Sequence, residues 1–192
     1  MSRANKIRRR GRKARRDLSK RKAQTLVTKD CPRYLAVCGD VHGHVDFMNR
    51  LLTTISEKLD IHFDLVLQVG DFEAHRHQKD LESMAAPSKY RVLGDFHKYY
   101  NGQSQFPFDT YFIGGNHEPW VFLDSTESDK VGSSKPVVEN LSFIGRGDYF
   151  DWLGIRIAGL SGIYREEHFD SERPVWTEEA NVSPKLLTYF NS

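Results

Sequence analysis

Three stretches decide the fold: Tyr34-Leu35-Ala36-Val37-Cys38-Gly39-Asp40, Phe63-Asp64-Leu65-Val66-Leu67-Gln68-Val69-Gly70-Asp71 and Thr110-Tyr111-Phe112-Ile113-Gly114-Gly115-Asn116. Each is a short, mostly apolar run that closes on glycine followed by Asp or Asn. Runs of this kind read as strands buried on both faces, as in a parallel sheet. Between the first two, Phe47, Met48, Leu51, Leu52, Ile55 and Leu59 recur at helical spacing, which predicts a helix over Val45 to Leu59. Gln78 to Tyr100 reads as helical or irregular. Leu141–Ile144, Asp148–Trp152 and Ile155–Leu160 read as shorter strands with tight glycine turns, and Asn181 to Tyr189 as a further helix with Pro184 in its first turn. The order β-α-β-α-β followed by β-β-β predicts an α/β layer packed on a second sheet.

Ligands in open α/β sheets bind beyond the carboxyl ends of the strands. Here all three ends carry metal-ligand residue types: Asp40 and His42, Asp71, and Asn116 with His117. One Gly-Asp alone is an ordinary turn or helix cap. Three in succession at the same sheet edge point to a metal site. Carboxylate, imidazole and amide oxygen suit manganese, iron or zinc. A carboxylate has two oxygens, so Asp71 can bridge two cations. Two such ions can hold a hydroxide and clamp an in-line displacement at phosphorus. His117, next to Asn116, is the expected proton donor to the leaving oxygen.

Around these positions stand secondary candidates. His44, His75, Arg76 and His77 could hold substrate phosphate, and Trp120 could stack on a base. Tyr99 and Tyr100 are expected in the core, and His62 and His97 as ordinary half-exposed residues.

The series Asp40-Val41-His42, Gly70-Asp71 and Gly115-Asn116-His117-Glu118 resembles the calcineurin-like metallophosphoesterase superfamily. Gly70-Asp71-Phe72-Glu73-Ala74, Met84-Ala85-Ala86-Pro87, Lys89-Tyr90-Arg91, Phe112 to Glu118 and Gly154 to Tyr164 are similar to its RNA lariat debranching branch. The resemblance implies a layered α-β-β-α sandwich, a two-metal site and a phosphodiesterase that opens a 2′–5′ linkage in RNA. Other members of the superfamily imply a phosphomonoesterase or nuclease instead. Two departures stand out. Asp40 occupies a position where debranching enzymes carry Cys. The later lone His and the Gly-His-x-His motif of the superfamily have no clear counterpart, since His168 is the only His after His117. The second sheet is therefore expected to be incomplete. Phe143, Phe150, Trp152 and Ile157 would then be partly uncovered and invite self-association. A low-activity, truncated chain that binds RNA through its arm is the alternative reading.

The chain has 192 residues, enough for one catalytic-size domain (31–192) and an appendage. Residues 1–30 are that appendage. They hold thirteen Lys and Arg against two Asp, a net charge of +11, while the other 162 residues hold 15 basic and 24 acidic groups, a net charge of −9. Like charges and few large apolar side chains predict a solvated arm suited to phosphate backbones, or an import signal. Cys31 and Cys38 match no zinc spacing, no apolar leader follows the basic start, and no run approaches the length of a membrane span. These features predict a cytoplasmic chain, or a nuclear one if the arm is an address.

Overall fold

The computed structural model describes residues 33–84, 87–126, 132 and 134–163. The basic arm, the helix expected over 181–189 and His168 lie outside the described residues. Among those described, no helix is long and apolar enough to cross a membrane.

The elements run β1 (Tyr34–Cys38), α1 (Val45–Leu59), β2 (Phe63–Val69), two short 3-10 turns (Gln78–Ser83 and Ser88–Tyr90), α2 (Phe96–Tyr100), β3 (Thr110–Ile113), α3 (Trp120–Thr126), β4 (Lys135–Val138), β5 (Leu141–Phe143), β6 (Gly147–Trp152) and β7 (Ile155–Leu160). The main sheet has the order β1-β2-β3-β5-β4. β1, β2, β3 and β5 are parallel, with Val37 opposite Leu67 and Leu67 opposite Tyr111; β4 adds an antiparallel edge. β6 and β7 form a separate two-stranded sheet. The fold class is α/β with a parallel-rich main sheet and a small second sheet, as the strand pattern predicts.

One expectation shifts. Leu141–Phe143 belongs to the first sheet, not the second, because it pairs in parallel with β3. Its partner β4 was not legible in the sequence. Lys-Pro-Val-Val has no apolar run, and within a sheet proline is tolerated only at an edge, which is where Pro136 stands.

Alternation divides the sheet's two faces. Ala36, Cys38, Val66, Phe112, Leu141 and Phe143 point into a core shared with Val45, Met48 and Leu52 of α1. Each fully buried apolar side chain of this kind contributes roughly 1.5–3 kcal/mol. The apolar stripe of α1 is wider than the face that meets this core. Phe47, Leu51 and Leu59, expected inside, are therefore exposed, while Asn49 is buried and donates to the Tyr99 hydroxyl at 3.0 Å.

On the opposite face, Phe150 stacks on Tyr111 with ring centroids 4.0 Å apart, and the Gly159 backbone lies against Ile113 and Ile144. Phe143, in the α1-side core, and Phe150 are buried, contrary to the expectation that they are partly uncovered, whereas Trp152 and Ile157 are half-buried. The exposed apolar side chains of this face are Leu35, Val37 and Val69, at the β1 end. Asp151–Ile157 separates as a small unit of its own, in which Arg156 pairs with Asp151 at 2.9 Å.

Candidate metal centre

The ends of β1, β2 and β3 lie side by side because the strands are neighbours in parallel. β1 and β2 run on into backbone that most side chains avoid. Asp40, His42, Asp71 and Glu73 all have positive φ, between 42° and 60°. Each such residue costs on the order of 1–3 kcal/mol and persists only where its surroundings over-determine it. Here they do. The His42 amide donates to the Asp71 carbonyl at 2.8 Å, and the His117 amide donates to Asp71 Oδ1 at 3.1 Å.

Phe72 anchors the middle turn by stacking on Phe112 at 4.6 Å in the core. Beneath the turn, the fully buried Glu118 carboxylate accepts the backbone N–H groups of Phe72 (2.6 Å), Glu73 (3.1 Å) and Ala74 (3.2 Å). Burial pushes the Glu118 carboxyl up to about 7, and those three N–H groups pull it back only in part. Gly115 completes the packing: a Cβ there would lie 2.0 Å from Asp71 Oδ1.

The result is one convergence of side chains. His42, Asp71 and His117 each present a ligand atom, all within 4.8 Å of one another. His42 Nε2 is 3.8 Å from Asp71 Oδ2, and the two imidazoles meet edge to face with centroids 5.0 Å apart. Glu73 ties the pair together. Its Oε1 lies 3.2 Å from His42 Nδ1 and 3.1 Å from His117 Nδ1. A carboxylate oxygen accepts, so these contacts favour the tautomer with hydrogen on Nδ1, in which Nε2 is the nitrogen that can ligate a metal. A carboxylate behind a histidine is the usual support of a metal-bound imidazole. Two imidazoles and a carboxylate backed in this way fit a divalent cation.

A family profile described as calcineurin-like phosphoesterase matches residues 34–186. The chain belongs to the calcineurin-like phosphoesterase family. Curated relatives are the lariat debranching enzymes of Caenorhabditis briggsae (40% identical over 75% of this chain and 28% of the relative), Arabidopsis thaliana (37%, 75% and 34%) and Saccharomyces cerevisiae (37%, 77% and 35%). The chain thus spans about a third of the length of the relatives it matches.

In this calcineurin-like phosphoesterase the remaining sequence candidates divide. Asp40 is exposed and stands outside the converging trio, with Oδ1 beside Gly70. Asn116 is half-buried in the turn that carries His117. His44 is exposed at the start of α1, makes no side-chain cap, and lines a cavity of about 590 Å³ with His42, Glu73 and His117. His77 is exposed, 3.6 Å from Asp80.

Three candidates turn inward. His75 is wholly buried, and burial pushes its imidazole down to about 4, so it is neutral and out of reach of substrate. Arg76 is committed to a two-pronged pair with Asp80 (2.9 and 2.8 Å) and lies 3.8 Å over the Phe122 ring. Trp120 is wholly buried beneath the Arg146 guanidinium, 3.7 Å away, and has no face left for a base. Sequence reasoning missed Glu73, Glu118 and the cavity wall at Val92–Asp95. Glu73 was findable in principle, since a carboxylate two residues after the middle-strand Asp rides the same tight turn.

Proposed function

We propose that this chain is a metal-dependent phosphodiesterase that acts on the 2′–5′ linkage of branched RNA. The observation that carries the reading is the joint hold of Glu73 on His42 and His117 beside Asp71. The names of the curated relatives support the substrate class. Manganese, iron or zinc at His42, Asp71 and His117, with Asp40 and Asn116 as further ligands, would polarise the phosphoryl group and activate water. The protein's own share is positional. Asp71 sits where its two oxygens can be shared. Glu73 orients both imidazoles through Nδ1; where His117 is not itself a ligand, its Nε2 must first take up a proton, such as the one released by the attacking water, before passing it to the leaving oxygen. His44, at the cavity rim, stands where a phosphate oxygen would pass.

The arm at residues 1–30 gives RNA a second handle. A strand neutralised by several of its cations would show a binding slope near −0.7 per contact against log salt. The deciding experiment compares a branched RNA, a linear RNA and an aryl phosphomonoester, each with manganese and with chelator. Cleavage confined to the branched RNA and abolished by chelator is expected. Turnover of the phosphomonoester without cleavage of either RNA would replace this reading with that of a phosphomonoesterase.

A further inference from the structure

The cavity beside the metal centre has two unlike walls. One is polar: His42, His44, Glu73 and His117. The other is Val92, Leu93 and Gly94, continued by Asp95. Val92 is 67% exposed, although it shares the cavity with His42, His44, Glu73 and His117. A phosphate needs no apolar surface, so phosphate binding alone does not account for this wall.

The wall is held rigidly to the catalytic side. The Gly94 backbone lies on that of Gly43, so closely that a Cβ on Gly94 would come within 2.6 Å of the Gly43 Cα and carbonyl oxygen. The Asp95 amide donates to the same carbonyl at 2.8 Å. Lys98 bridges Asp95 (2.7 Å) and Asp46 of α1 (2.6 Å), and Leu93 packs on the buried pair Leu81 and Met84. A wall built in advance has little ordering left to lose when a ligand arrives.

We propose that Val92 and Leu93 form a shelf for one nucleobase adjoining the phosphate at His42 and His117. The inference rests on the phosphodiesterase reading and adds a base site to it. Among the described residues no Phe, Tyr or Trp lines the cavity, so the shelf meets the face of the base by apolar contact and not by ring stacking. Contact with a face ignores the hydrogen-bonding edge, which makes this site tolerant of base identity. A cavity of about 590 Å³ is in the range that encloses a nucleotide-sized ligand.

The test uses the full chain, manganese, a 2′–5′-linked dinucleotide and its two abasic counterparts, each lacking one base. The wild-type protein should show a KM about tenfold higher for one abasic compound than for the intact dinucleotide. Val92→Asp should bring that ratio close to one. Val121→Asp, at an equally exposed valine on α3 outside the cavity, should keep the wild-type ratio. Equal KM values for all three compounds in the wild type, or an unchanged ratio in Val92→Asp, would overturn the shelf. If no compound is hydrolysed, the phosphodiesterase reading fails on its own. Fluorescence binding of the same three compounds then decides the shelf: base-dependent binding lost in Val92→Asp upholds it, and base-independent binding rejects it.

Discussion

Gly115 passes so close to Asp71 that a methyl group on its Cα would lie 2.0 Å from the carboxylate oxygen Oδ1. The contact fixes where the central carboxylate can stand. Gly115→Ala must push that carboxylate or its turn aside. Metal affinity, followed by calorimetric titration, should fall at least about tenfold, the low end for disturbing a ligand's support. Unchanged affinity would show that Asp71 is not held by this contact.

Glu73 offers a cleaner separation of roles. Glu73→Ala removes the acceptor for both Nδ1 atoms and should weaken metal binding about 10–100-fold. Glu73→Gln keeps one side-chain oxygen and should recover most of the loss. Nitrogen NMR of the imidazoles supplies the second reading: the Nδ1–H tautomer should dominate at His42 and His117 in the wild type and become mixed in Glu73→Ala. Tautomers that ignore the substitution would reduce Glu73 to a packing residue.

Asp71→Asn replaces the only carboxylate of the converging trio with an amide. Metal analysis should find about one ion per chain in the wild type and well under half in the variant. A variant with full metal content would mean that the ion sits elsewhere.

The indole of Trp120 is a test of packing against recognition. Buried completely under Arg146, it should cost about 3–5 kcal/mol when changed to Ala, measured by urea unfolding. A variant of wild-type stability but raised KM for RNA would return Trp120 to the substrate.

His75 gives the domain a built-in acid sensitivity. Its imidazole is pushed down to about 4 by burial, with Asp80 opposing, against 6.5 for an ordinary His. Between those values the unfolded chain binds the proton and the folded chain does not. The contribution to stability is whole above pH 6.5 and fades as pH falls towards 4, by on the order of 3 kcal/mol. In metal-free protein, His75→Leu should flatten the stability profile in that window. Parallel profiles for the two proteins would show that His75 is not buried neutral.

The strand ends were legible because their signal is local: an apolar run, a glycine, a ligand-type side chain. What was not legible depends on two strands at once. Glu73 matters because a positive-φ turn swings it between histidines from β1 and β3, and nothing around residue 73 announces either neighbour. Phe47 and Met48 are adjacent and both apolar, but only the sheet decides that Met48 goes inside. Trp120 stands three residues after His117, yet the α3 turn rolls it into the core while His117 stays at the rim. Composition could not reveal that Arg76 spends its guanidinium on Asp80.

The crossing of Gly43 and Gly94 sets terms for anyone wishing to retune this cavity. Gly94 cannot gain a carbon without prising two backbones apart, and at Gly43, which adjoins His42 and has a φ of +73°, a Cβ would crowd Gly94 at 3.0 Å and Glu73 at 3.1 Å. The mould has a fixed frame and a changeable lining. A variant library spread over His44, Val92 and Leu93 would alter what the cavity accepts while leaving the chemistry in register. A library that included residues 43 and 94 would mostly sample broken frames, and its inactive members would say nothing about substrate preference.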